Sequence, residues 1–301
     1  MGLNQPKPAS RTATIAIDFA KAFDSVNHSL QLQKVSDSSL PHNLVRWLAA
    51  YLRGRTATCQ YLSSTSPRKI TRSGVPQGSV ISPCLFNFFV SDCPTTPQII
   101  TSYADDVTIA EQAPDTSLTG DTVAAQFREA LTPILNWASS NKLSIAPSKS
   151  SVSFFSPWNK QFRTHPQVIV DDTPIPSDQQ PKILGVTFDA MFKFSPHINS
   201  IIERSASRRN ILKALAGISW WQQKETLRLT YNAMIKPIFT YACPIWFPHT
   251  SYSNITRLQS VPNKVLRIIS GSVQMSSVDH IQSERILLLW TTSIPSARCS
   301  R

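Results

Sequence analysis

The stretch Ala13–Phe19 reads ATIAIDF, a near-continuous apolar run that ends on a carboxylate. Such a run lacks the polar alternation of a half-exposed strand and fits a central strand buried on both faces. Asp18, at its end, is the residue on which the reading turns. An isolated ionised carboxylate in apolar surroundings is very costly. It persists when it is paired, protonated or bound to a cation.

A second acidic feature lies at Thr101–Ala110, TSYADDVTIA, where two strand-like flanks enclose Asp105 and Asp106. Taken alone it is a hairpin turn, because Asp favours turns and bonds its own backbone. If the hairpin lies in the same sheet beside the Asp18 strand, the carboxylates converge at the strand ends. Acids without basic neighbours in sequence repel one another, and a divalent ion removes that repulsion. Hard cations such as Mg²⁺ take oxygen ligands and keep room for substrate phosphates. Two such ions, about 3.5–4 Å apart, clamp the attacking and leaving oxygens of an in-line phosphoryl displacement.

Outward from these segments the chain alternates helical and extended patterns. AKAFDSVNHSL, from Ala20, has helical character. In LPHNLVRWLAAYLRGR, Leu44, Trp47, Leu48, Tyr51 and Leu52 form the stripe of an amphipathic helix, with Arg46, Arg53 and Arg55 off it. Gly74–Ser79 reads as a turn, and SPCLFNFFV after it as a buried helix with Pro83 in its first turn. Residues 121–143 are helical, with Val123, Phe127, Leu131, Ile134, Leu135 and Trp137 on the apolar face. Short strands are expected around Val152–Phe155, Val168–Val170 and Ile183–Phe188. Strands with helices on one side define an α+β sheet domain up to about residue 190. Beyond it, residues 196–216 form a helix with Ile198, Ile201, Ile202, Ile211, Leu212 and Leu215 on its apolar side. Arg204, Arg208, Arg209 and Lys213 recur on the polar side, where the plain reading is a solvated basic face. Two further helical patterns follow at roughly 224–239 and 254–269. Ile286–Trp290 is the kind of apolar burst that a buried helix supplies.

The bulk numbers narrow the function classes. The 301 residues are 41% hydrophobic, which excludes wholesale disorder. Thirty Lys and Arg against eighteen Asp and Glu give a net charge of +12. That excess points to a polyanion, nucleic acid first and an anionic membrane surface second. Five scattered cysteines and six histidines offer neither a disulfide framework nor a zinc-site spacing. With no signal peptide and no spanning apolar run, the expectation is a soluble intracellular protein without membrane partners.

DFAKAFD at 18–24, SGVPQGSVISP at 73–83 and YADD at 103–106 resemble, in that order, motifs A, B and C of reverse transcriptases. RTATIAIDFAKAFDSVNH, LVRWLAAYLRGR, KILGVTFD and LRLTYNAMIKPIFTYACPIW are similar to segments of the non-LTR, LINE-type retrotransposon group. The resemblance covers most of the chain and fades after about residue 285. It implies a right-hand polymerase palm, an antiparallel sheet with helices on one face, over 1–190. An α-helical thumb and C-terminal extension follow over 191–301. It implies an RNA-directed DNA polymerase that adds dNTPs to a DNA primer on an RNA template, with two Mg²⁺ ions and Mn²⁺ as a substitute. Such elements copy themselves at chromosomal targets, so nuclear and cytoplasmic locations are expected.

The resemblance also assigns roles. Asp18 and Asp105 bind both metals, Asp106 supports them, and the backbone of Phe19 is a further ligand. Phe23 stands beside the incoming sugar, where a flat ring excludes a 2′-OH; from position alone it reads as a core residue. Gly74, Pro76, Gln77 and Gly78 form the motif B turn against the nucleotide, with Tyr103 of motif C nearby. Lys149 sits where motif D often places a lysine able to protonate pyrophosphate, and is otherwise a loop lysine. Leu184 and Gly185 are the hairpin that steadies the primer terminus, and Arg204, Arg208, Arg209 and Lys213 track the duplex through its phosphates. The family carries a fingers region before motif A, an upstream endonuclease and downstream elements that are expected to be missing here. Two rival readings stand beside this one. The first is a catalytically incomplete nucleic-acid-binding fragment of a degenerate element, and the second is an RNA-dependent RNA polymerase.

Overall fold

The computed structural model describes residues 11–95, 99–113, 120–156, 167–170, 172–217 and 223–272. The expected apolar helix at Ile286–Trp290 lies outside them. The described residues up to Gln179 belong to one compact unit and those from Gln180 onward to a second.

The first unit opens with β1 (Arg11–Asp18), α1 (Ala22–Ser25), α2 (His28–Ser36) and α3 (His42–Leu52). Four two-residue strands follow, β2 (Thr56–Ala57), β3 (Gln60–Tyr61), β4 (Ser64–Thr65) and β5 (Lys69–Ile70), and then α4 (Ser82–Val90). The hairpin β6 (Ile99–Tyr103) and β7 (Asp106–Ala113) comes next. After it run α5 (Gly120–Ser140), β8 (Ser151–Phe155), β9 (Ile169–Val170) and β10 (Thr173–Pro174).

Four of the strands form one antiparallel sheet in the order β6-β7-β1-β8, so the ATIAIDF strand is central. Its register pairs Ile15 with Ile109 and Ile17 with Val107 on one side, and Ile15 with Val152 on the other. Because side chains alternate across a strand, these residues share one face. That face joins Phe86 and Phe89 of α4 and Phe127, Leu131 and Ile134 of α5 in a single core. Each such side chain, fully buried, contributes about 1.5–3 kcal/mol. The opposite face carries Thr12, Thr14, Ala16 and Asp18 beside Asp106, Thr108 and Ala110. Thr12 and Thr14 are themselves buried, as a strand covered on both faces requires.

Local details of the first unit go beyond the sequence pattern. AKAFDSVNHSL is two helices, because the chain turns extended at Val26 and Asn27, whose side chain caps α2 by accepting from the Leu30 N–H. The short strand expected around Val168–Val170 is present as β9, which pairs with β10 outside the main sheet. On α3, Leu48 and Leu52 are buried but Leu44 and Trp47 are 38% and 52% exposed, so the stripe is only half covered.

The second unit begins with a tight hairpin, β11 (Lys182–Ile183) and β12 (Val186–Thr187), the hairpin expected at Leu184 and Gly185, which splits the strand expected over Ile183–Phe188. The turn residues Leu184 and Gly185 have φ of +46° and +82°, the left-handed pair that a two-residue hairpin needs. Helices α6 (Ser195–Leu215), α7 (Lys224–Met234), α8 (Lys236–Thr240), α9 (Cys243–Trp246) and α10 (Tyr252–Ser270) follow. They bury Tyr231, Phe239, Trp246, Leu258 and Val265 in a separate core. The helix expected over 224–239 breaks at Ile235. Pro237, in the first turn of α8, has no N–H to carry the α7 ladder onward.

Candidate active site

Asp18 is the last residue of β1, and its register partner on β7 is Asp106. Directly opposed residues on antiparallel strands point to the same face. Asp106 is in turn paired with Tyr103 across the β6–β7 hairpin, which leaves Ala104 and Asp105 as the turn between them. Two acids in register and a third on the adjacent turn are therefore carried at one end of the sheet. Ala104 holds φ +53°, a left-handed value that costs a non-glycine residue about 1–2 kcal/mol. Strain of this kind persists where the surrounding structure over-determines the backbone.

The Asp18 backbone is pinned from the other side. Its N–H donates to Ser150 Oγ at 3.2 Å, and its carbonyl accepts from the Ala146 N–H at 2.8 Å. The bridge between Phe19 and Ile145 runs through the Asp18 carbonyl and the Ala20 N–H, so the Phe19 carbonyl carries neither of its bonds. The same loop brings Lys149 Nζ to 3.8 Å from Asp18 Oδ2, with side chains 70% and 30% exposed. A pair this open to water is worth about 0–1 kcal/mol. Asp18 thus keeps contact with solvent, and the severe cost of a dry, isolated carboxylate does not arise.

The carboxylates feel one another. Burial pushes the Asp106 carboxyl above the usual carboxylate range, and the charges of Asp105 and Asp18 push it further. A cation at this end of the sheet would relieve that repulsion. Among the described residues, no three His, Cys, Asp or Glu side chains stand together as a ready-made metal cage. The donor set nevertheless suits Mg²⁺, which is held through one or two carboxylates plus substrate phosphates and water rather than by all-protein cages.

The motif B turn docks on the segment that follows Asp18. Gly74 N–H donates to the Val26 carbonyl and Val75 N–H to the Phe23 carbonyl, both at 2.8 Å. Gln77 Nε2 donates to Asp24 Oδ1 at 2.9 Å, and His28 Nε2 lies 2.8 Å from the Gly74 carbonyl. Phe23, partly buried, stacks on Phe86 with ring centroids 4.3 Å apart and planes 16° from parallel. Sequence reasoning passed over Asp24 and left Gln77 free to meet a ligand. The second carboxylate of DFAKAFD was the signal that Gln77 has a partner within the chain. Tyr103 is 67% exposed on the hairpin.

Gly74 is the tightest point of this junction. Its φ is +87°, and a Cβ there would sit 2.9 Å from both Cα and the carbonyl oxygen of Asp24. Gly78 also has positive φ, +82°, but a Cβ there meets nothing within 4 Å. Gly78→Ala therefore carries the conformational cost alone, about 1 kcal/mol. Gly74→Ala adds a backbone collision and lowers stability by at least about 2 kcal/mol more. Denaturant unfolding of the two variants measures the difference, and equal losses would contradict the packing account.

In the second unit, the Leu184 carbonyl accepts from Tyr241 Oη at 2.6 Å. The Tyr241 ring lies 3.3 Å from where a Cβ on Gly185 would stand. Gly185 and Arg204 line one cavity with Lys182, Thr187 and Tyr241, and Arg204 and Arg208 line a neighbouring one. Arg204, Arg208 and Lys213 are exposed on α6, while Arg209 is half-buried.

An acid pair in register across two neighbouring strands of an antiparallel sheet, with a glycine turn docked on the segment after Asp18, fits the palm fold of polymerases. The chain belongs to the reverse transcriptase (RNA-dependent DNA polymerase) family, whose sequence pattern matches residues 3–188. It is 29% identical over 274 residues to the Drosophila melanogaster protein named "Probable RNA-directed DNA polymerase from transposon X-element", covering 86% of this chain. It is 28% identical over 267 residues to the RNA-directed DNA polymerase from mobile element jockey of the same fly, covering 85% of this chain. The chain spans 28% of the length of each of these relatives. Among solved structures it is similar to Candida tropicalis telomerase in complex with a TWJ fragment of telomeric RNA. The TM-score there is 0.43 at 12% identity, covering 96% of this chain and 49% of that one.

Proposed function

We propose that the chain copies RNA into DNA as the catalytic palm and thumb of a non-LTR retrotransposon reverse transcriptase. The observation that carries this reading is the register of Asp18 with Asp106 at one end of the sheet, with Asp105 on the turn beside them. Asp18 and Asp105 hold two Mg²⁺ ions, or Mn²⁺ in their place, with the Phe19 carbonyl as a further ligand and Asp106 in support. When bound, the ions supply charge neutralisation at the phosphoryl group and activation of the primer 3′-oxygen.

The chain's own residues do the rest. Phe23, held flat against Phe86, is the steric wall against a 2′-OH. The Gly74–Gly78 turn forms the floor beneath the incoming dNTP, with Gln77 held by Asp24 and Tyr103 at the opposite hairpin. Lys149, already beside Asp18, supplies a proton to pyrophosphate as it leaves. Leu184 and Gly185 steady the primer terminus, and Arg204, Arg208, Arg209 and Lys213 bind duplex phosphates. The palm spans 1–190 and the thumb and C-terminal extension 191–301. The net charge of +12 supports a nucleic-acid partner. No helix among the described residues is long and apolar enough to cross a membrane. Copying at chromosomal targets would take place in the nucleus, and a nuclear and/or cytoplasmic location is the family expectation.

The test is primer extension on a primed RNA template with dNTPs and Mg²⁺. The expected result is extension that chelation stops. Duplex binding without any extension would refute the polymerase assignment.

A further inference from the structure

Between α3 and the motif B turn the chain makes a two-stranded ribbon that has no core. β2 pairs with β5 and β3 with β4. Ser66 N–H donates to the Cys59 carbonyl at 2.8 Å between the two ladders, and Thr71 N–H to the Arg55 carbonyl at 2.9 Å at the root. The ribbon is roughly 20 Å long by strand rise, and every residue from 56 to 73 is exposed. An isolated two-stranded hairpin is marginal in water. Its surface is therefore explained by something it meets.

The chemistry of that surface is one-sided. From Arg53 to Arg72 there are five cations, Arg53, Arg55, Arg68, Lys69 and Arg72, and no carboxylate. A surface shaped for solubility alone is best served by interspersed charges of both signs, and a run of one sign suits an anionic partner. Aromatic rings alternate with the charges. Tyr61 at the ribbon tip is 77% exposed. At the root, the half-exposed Trp47 stacks on Tyr51 with centroids 5.6 Å apart, and the Arg55 guanidinium lies 4.4 Å from the Tyr51 ring centre. Cations that follow a phosphate backbone, with rings on which bases stack, are the means by which proteins hold unpaired nucleic acid. The returning strand runs through Arg72 and Ser73, which bridges Asn27, directly into Gly74 of the nucleotide-side turn.

We propose that this ribbon binds the unpaired template strand, with Arg68, Lys69 and Arg72 on its phosphates and Tyr61 stacked on a base. The proposal rests on the template-copying function above. It is tested by fluorescence anisotropy of a labelled single-stranded RNA with the full chain across a salt series. The variants are Arg68→Gln/Lys69→Gln/Arg72→Gln and Tyr61→Ala, both on a surface without packing to lose. The triple variant is expected to flatten the log–log salt slope by about two, and Tyr61→Ala to weaken binding about tenfold. Unchanged affinity and slope in the triple variant would overturn the proposal, even if the unaltered chain extends primers. Lost RNA binding in the variants, with no extension by the unaltered chain, would uphold the ribbon and remove the polymerase reading instead.

Discussion

Asp18→Asn is expected to lower single-nucleotide incorporation by about 10³-fold or more while leaving the fold intact. The magnitude is that of removing a carboxylate which, on the proposed reading, would hold the ions that clamp the attacking and the leaving oxygen. Folding survives because what holds residue 18 in place is its backbone, through Ser150 Oγ and the Ala146 N–H, and the isosteric amide leaves both bonds in place. The substitution removes one of the charges that push the Asp106 carboxyl up and, with it, the exposed Lys149 pair, so the two changes oppose each other in stability. Duplex binding is expected to hold or strengthen. Equal loss of binding and incorporation would show instead that Asp18 serves the structure.

Phe23→Val is expected to reduce discrimination between dNTPs and NTPs by about 10²-fold, mainly by letting NTPs in. A pocket rejects an added hydroxyl only where something solid occupies its place. The Phe23 ring is solid because Phe86 lies stacked against it and because the Phe23 carbonyl is tied to Val75. Losing the stack costs stability too, about 0.5–1.5 kcal/mol beyond the lost area. Parallel measurement of stability and of relative dNTP and NTP incorporation separates the two roles. A destabilised variant with unchanged selectivity would make Phe23 a core residue only.

How far the sequence carried depended on the range of each interaction. ATIAIDF declared a central strand because an uninterrupted apolar run has few other uses, and Ile15 and Ile17 take up that role with Ile109, Val107 and Val152. The meeting of Asp18 with Asp106 was legible only as a condition, that the hairpin lie beside the strand; the register itself is a tertiary fact. Asp24 was missed because its value lies in one bond to Gln77, 53 positions away. The helix α3 and its stripe were legible, but the exposure of Leu44 and Trp47 was not, because periodicity reports which residues share a face and not whether anything covers it. The break at Ile235 was within reach, since Pro237 stood in plain view.

The most direct test of the central claim, that Asp18 and the Asp105–Asp106 turn form a single cation site, is Mn²⁺ titration followed by electron paramagnetic resonance on the chain bound to primed template. Asp18→Asn and Asp105→Asn are each predicted to weaken Mn²⁺ binding by at least about tenfold. Mn²⁺ affinity that survives Asp18→Asn unchanged, while the Asp105 variant loses it, would contradict the account.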